Sequence, residues 1–97
     1  MSTQTPVRPD VDTDTTARVD RPWLVIVLND DHNTFEGVTV ALHKVLPSTS
    51  LERGLEMAVE IHMSGRAVVW SGHREPAELY HEQLAEFGLT LAELQQS

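Results

Sequence analysis

Apolar and polar residues fall into distinct blocks along this chain, and the first apolar block arrives late. From Trp23 the residues "WLVIVL" run without a polar interruption. A short continuous run of β-branched and leucine side chains reads as a strand covered on both faces. "TFEGVTVALHKVLP" then changes the period. Val38, Ala41, Leu42, Val45 and Leu46 recur at the offsets of one helical face, Thr34 stands at the N-cap and Pro47 stops the helix. "STSLERGLEMAVEIHMSG" predicts a second helix, opened by a capping box from Thr49 to Glu52 and closed at Gly65. Leu51, Leu55, Ala58 and His62 share one face of it, with Ile61 beside them. "RAVVWS" reads as a second strand. Pro76 suits the first turn of a third helix with a stripe of Ala77, Tyr80, Leu84 and Phe87, closed by Gly88, and "LTLAEL" reads as a last strand.

The order β-α-α-β-α-β predicts a small α+β sandwich over residues 22–97, three helices packed on a short three-stranded sheet. Residues 1–21 are rich in Thr, Asp and Pro and carry no aromatic side chain. They bury too little apolar area to offset the entropy of ordering, so a disordered N-terminal extension is expected.

Composition adds several exclusions. The chain has 97 residues, 40% of them hydrophobic, but only two Trp, one Tyr and two Phe, so one domain with an aliphatic core is expected. A net charge of −8 with no basic stripe argues against nucleic acid. Cysteine is absent, which removes disulfides and thiolate chemistry. The N-terminus lacks the apolar region of a signal peptide, and the longest apolar run is far short of the ~20 residues of a membrane span. A cytoplasmic monomer is expected. The histidines, at positions 32, 43, 62, 73 and 81, form no pair at metal spacing. There is no Gly-rich phosphate loop and no serine at a strand-to-helix elbow, so neither metal, cofactor nor enzymatic activity is expected.

What remains is Asn29-Asp30-Asp31, where the first strand ends. One reading is a solvated turn in which these side chains bond their own backbone. The other is a cation site. An ammonium has three N–H donors and no acceptor, and Asn29, Asp30 and a neutral His62 supply three acceptors. Phe35, Val38, Ala58 and Ile61 are candidates to line an apolar hollow beside them. A free protein N-terminus with a bulky first residue combines such a cation with such a side chain. His62 is equally readable as a packed side chain on an apolar face.

"VLNDDHNTFEGVTVALHKVL", with "LERGLEMAVEIHMSGRAVV" and "SGHREPAELYHEQLAEFGL", closely resembles the ClpS family, the N-end-rule adaptors of the Clp protease. Two signatures carry the resemblance: the Asn-Asp-Asp after the first strand with Phe35-Glu36 beyond it, and the helix ending His62-x-x-Gly65-x-Ala67-Val68. It implies that Asn29, Asp30 and His62 bind the α-amino group of a substrate beginning with Leu, Phe, Tyr or Trp. Asp31, Asn33, Thr34, Phe35, Val38, Ala58 and Ile61 would form the pocket and its rim. It also implies docking, through Glu75 and Tyr80, on the N-terminal domain of a Clp AAA+ unfoldase of the ClpA or ClpC type, and delivery to ClpP. The chain departs from the family in reading Asn33-Thr34-Phe35 where members often have Thr-Pro-Met, and Ala58 where Met is common. Tyr80 stands where some members have Lys. A deeper pocket partly roofed by Phe35 is expected. Two alternatives stand beside the adaptor reading: an unfoldase-docking regulator that binds no N-terminal signal, and a small acid–base enzyme using Asp30 and His62.

Overall fold

The computed structural model describes residues 21–97, so the expected N-terminal extension lies, but for Arg21, outside the described residues. The chain runs β1 (Trp23–Leu28), α1 (Phe35–Val45), α2 (Leu51–Ser64), β2 (Arg66–Gly72), α3 (Arg74–Glu86), β3 (Thr90–Leu91) and β4 (Gln95–Gln96). β1 is central. β2 pairs with it antiparallel from Trp23↔Gly72 to Leu28↔Arg66, with an irregularity between Val25 and Ile26. Val25, Ile26 and Val27 are all buried, as the uninterrupted apolar run predicts for a strand covered on both faces.

The sheet has four strands rather than three. β3 and β4 lie on the same edge of β1, antiparallel, opposite Val27–Leu28 and Trp23–Leu24. Of the last strand expected over "LTLAEL" only Thr90–Leu91 forms, and a second short strand, Gln95–Gln96, follows beyond that stretch. Ala92 N–H still bonds the Ile26 carbonyl at 3.0 Å, but Leu94 packs against the core and breaks the ladder between the two pieces.

Local chemistry sets the helix ends. Thr34 Oγ1 accepts from Gly37 N–H at 2.9 Å, the expected cap of α1. α2 is capped by Ser50, whose Oγ accepts from Arg53 N–H at 3.0 Å. That corrects the expected Thr49–Glu52 box: the Thr49 hydroxyl turns back to the Pro47 carbonyl. Gly65 ends α2 in the left-handed conformation (φ 89°), its N–H on the Ile61 carbonyl at 2.9 Å, so the chain can reverse straight into β2.

The buried face of α2 also differs from expectation. Gly54, Met57, Ala58 and Ile61 face the core, while Leu51 and Leu55 are exposed. The Leu51–Leu55 stripe lies part of a turn around from the face that α1 and the sheet cover. On α3, Ala77 and Leu84 are buried, Tyr80 is half-buried edge-on to Trp70 (centroids 4.9 Å apart), and the expected stripe member Phe87 is exposed. A Schellman turn explains Phe87: Gly88 (φ 94°) donates to Ala85 and Leu89 to Leu84, and Leu89 enters the core instead. One aliphatic core, including Val25, Val27, Leu42, Met57, Ile61, Val69 and Leu84, joins the helices to the sheet.

Candidate functional site

The loop from Asn29 to Thr34 leaves β1 beside the C-terminus of α2. Asn29 N–H donates to the Gly65 carbonyl at 2.9 Å, which continues the β1–β2 edge by one bond and fixes Asn29 close to the last turn of α2, the turn that carries His62. Turn chemistry then shapes the loop. Asp30 Oδ1 accepts from His32 N–H (3.1 Å) and Asn33 N–H (2.8 Å). Its Oδ2 accepts from Asn33 Nδ2 (2.7 Å) and from the Thr90 hydroxyl (2.9 Å). Asn33 Nδ2 also donates to the Gly88 carbonyl at 3.0 Å. The loop is therefore held both by its own backbone and by the turn that follows α3.

A carboxylate has about four lone-pair sites, and in Asp30 all are in use. Burial alone would raise its pKa. The hydrogen bonds from the Asn33 side chain and backbone, Thr90 and His32 outweigh that and lower it to about 2. Such a group stays ionised at neutral pH and is a poor proton acceptor, its lone pairs committed to the loop.

The neighbouring groups are in the opposite state. Among the described residues, the Asn29 side chain and the His62 ring have no hydrogen-bond partner. Asp31 projects fully into solvent, with the His32 ring nitrogen 3.7 Å from its carboxylate. The His62 ring stands edge-on to Phe35, centroids 5.1 Å apart at 65°.

These groups border a single cavity of about 370 Å³, within the ~300–1,000 Å³ usual for ligand clefts. Asn29, Asp30, Asp31, Asn33, Thr34 and His62 form its polar lining, and Val27, Leu28, Phe35, Val38, Ala58, Ile61 and Leu89 its apolar lining. All ten residues that the sequence assigns to amine binding, pocket and rim lie on this cavity. Val27, Leu28 and Leu89 were missed. Leu89 had a local signal, because an apolar residue directly after a helix-closing glycine commonly folds back onto the helix. Val27 and Leu28 had none, because a strand covered on both faces does not tell which side chain borders a hollow.

Glu75 and Tyr80 lie on α3 and do not line the cavity. Glu75 is exposed in the first turn, whereas the Tyr80 ring is largely taken up by packing on Trp70. Among the described residues there is no cluster of three or more metal-ligating side chains, and no helix is long and apolar enough to cross a membrane.

A family model described as ATP-dependent Clp protease adaptor protein ClpS matches residues 18–92. The ATP-dependent Clp protease adapter protein ClpS of Thermosynechococcus vestitus is 51% identical over 73 residues, which cover 75% of this chain and 78% of that one. The same protein of a Nostoc species is 42% identical over 95 residues, 98% of each chain. Among solved structures, Agrobacterium tumefaciens ClpS2 bound to L-phenylalaninamide has a TM-score of 0.72 at 28% identity, covering 79% of this chain and 98% of that one. With a family model matching most of the chain and relatives 51% and 42% identical to it, the chain, on a fold shared with ClpS2, belongs to the ClpS family of Clp protease adaptors.

Proposed function

We propose that this adaptor binds the first residue of proteins that begin with a free α-amino group and a bulky hydrophobic side chain, Leu, Phe, Tyr or Trp, and hands them to a Clp AAA+ unfoldase for degradation by ClpP. One observation carries the reading: at the border of a cavity whose other lining is apolar, the Asn29 side chain and the His62 ring have no hydrogen-bond partner among the described residues, and the exposed Asp31 carboxylate has only the His32 ring 3.7 Å away. An α-ammonium, protonated below about 8, needs three acceptors. The Asn29 carbonyl oxygen, an unprotonated His62 nitrogen and a carboxylate oxygen supply them. Asp30 already accepts from four donors, which favours Asp31 over the expected Asp30 for the direct contact, with Asp30 holding the loop and contributing its fixed negative charge.

Charge-assisted hydrogen bonds contribute about 1.5–3 kcal/mol each. Burial of a Leu or Phe side chain against Val38, Ala58, Ile61 and Leu89 adds about 1.5–3 kcal/mol. Neither alone overcomes the entropy of association, so both halves of the residue are required. The complex of Agrobacterium tumefaciens ClpS2 with L-phenylalaninamide, a molecule with one free amine and one benzyl group, supports the same pairing. Docking on the N-terminal domain of a ClpA- or ClpC-type unfoldase is assigned to the α3 surface around Glu75, with Tyr80 contributing its exposed edge.

Fluorescence anisotropy of a Phe-initiated peptide beside its N-acetylated twin tests the reading. The free peptide is expected to bind and the acetylated one to lose at least about tenfold, one charge-assisted bond or more. Equal affinity for the two would leave the polar lining without a role.

A further inference from the structure

Among the described residues, four apolar side chains on α2 stand largely uncovered. Leu51, Leu55, Val59 and Met63 are between 44% and 76% exposed, and each stands four residues from the next. Side chains at this spacing form a continuous ridge, the kind that packs into the groove of a second helix. The ridge is about 18 Å long, enough for roughly three turns of a partner. Among the described residues nothing covers it, because α2 faces the core with another side, through Gly54, Met57, Ala58 and Ile61.

A second row repeats the spacing beside the first. Glu52, Glu56 and Glu60 each follow a ridge residue by one position, about 100° further around the helix. Arg53 Nη1 reaches Glu56 Oε1 at 3.1 Å, and among the described residues Glu52 and Glu60 have no ion pair. An apolar ridge edged by carboxylates fits a helix that carries an apolar stripe edged by Lys or Arg. We propose that the outer face of α2 docks a basic amphipathic helix of a protein partner.

Charge decides against the other occupants. A second copy meeting this face across a two-fold axis would bring two Glu rows together on chains of net charge −8 each. An anionic membrane would be repelled by the same row. The cavity stays open to its own ligand, since the α2 residues that line it are Ala58, Ile61 and His62 and none belongs to the ridge. The proposal therefore does not depend on the amine-binding reading.

The test is an NMR and anisotropy titration of the whole chain with an N-acetylated Leu/Lys amphipathic helix of roughly four turns, whose blocked terminus cannot use the cavity as proposed above. Amide shifts are expected to concentrate at positions 51–63. The double variant Leu55→Gln/Val59→Gln should weaken binding at least about tenfold. The triple variant Glu52→Gln/Glu56→Gln/Glu60→Gln should weaken it about threefold or more, with a smaller salt dependence. Both variants change exposed positions, so an unchanged melting temperature serves as the control for folding. Affinity should be the same when a Phe-initiated peptide is present in excess. No binding, shifts outside α2, or full affinity in the triple variant would overturn the proposal. So would a concentration-dependent dimer abolished by the double variant, or equal binding to phosphatidylserine vesicles, each of which gives the ridge to another occupant.

Discussion

Thr90 donates its hydroxyl to Oδ2 of Asp30 at 2.9 Å, across 60 residues of chain. With Asn33 bridging Asp30 and the Gly88 carbonyl, it ties the loop after β1 to the turn before β3. The carboxylate at the centre is thereby satisfied from within the protein, while Asn29 and His62, on the same cavity, have no side-chain hydrogen-bond partner among the described residues.

That arrangement predicts an acid-sensitive loop. The Asp30 carboxyl titrates at about 2 against a reference of 3.8. A carboxylate whose folded pKa is depressed stabilises the fold fully above the reference value and loses that contribution as the pH falls toward the folded value. The contribution is on the order of 2 kcal/mol. Carboxyl-carbon NMR should place the Asp30 midpoint near 2, and Thr90→Val should move it upward by removing one donor to the charged form. A midpoint near 4 in the unmodified chain would contradict the network.

Asp30 and Asp31 should fail in different ways. Asp31→Asn leaves the fold untouched, because the side chain is solvent-exposed, and is expected to weaken a Phe-initiated peptide by about tenfold or more. Asp30→Ala strands Asn33 and Thr90 and should lower both the melting temperature and the affinity, making it the more damaging change overall. Isothermal titration beside thermal melts separates the two. Equal losses of stability would remove the distinction between a structural and a contacting carboxylate.

Ala58 leaves room in the cavity that a longer side chain would fill. It is buried and lines the apolar side. Ala58→Met should penalise Trp- and Phe-initiated peptides more than Leu-initiated ones, by roughly 1–3 kcal/mol for the largest ring, the usual cost of overpacking. Peptides differing only at their first residue measure it. A uniform loss across the series would place the first side chain elsewhere.

Peptide affinity should fall on both sides of neutrality. In acid, protonation makes both His62 nitrogens donors, and they can no longer accept from an ammonium. In alkali, above about 8, the ligand amine loses the proton that makes it a cation. His62→Ala should flatten the acid limb and spare the alkaline one. An unchanged acid limb in that variant would assign the effect to another group.

The elements that a short window of residues decides were legible. "WLVIVL" gives a doubly covered strand, Thr34 caps α1, and Gly65 and Gly88 close their helices in left-handed turns. All ten residues named for the pocket line it because they cluster on two segments that any packing of β1, α1 and α2 brings together. Other features were not legible. Choosing Ser50 over Thr49 as the cap of α2 needed the exact chain direction at Pro47, and the inward face of α2 depended on what α1 and the sheet present to it.

By itself the sequence determined the elements, their order and the residue types that meet around the loop, because periodicity and capping act over a few residues. Tertiary structure alone decided which carboxylate is spent and which is free. That choice turns on Thr90 and Gly88, brought to Asp30 and Asn33 by the antiparallel pairing of β3 with β1. A donor's distance in space, unlike its distance along the chain, is set only when the core closes.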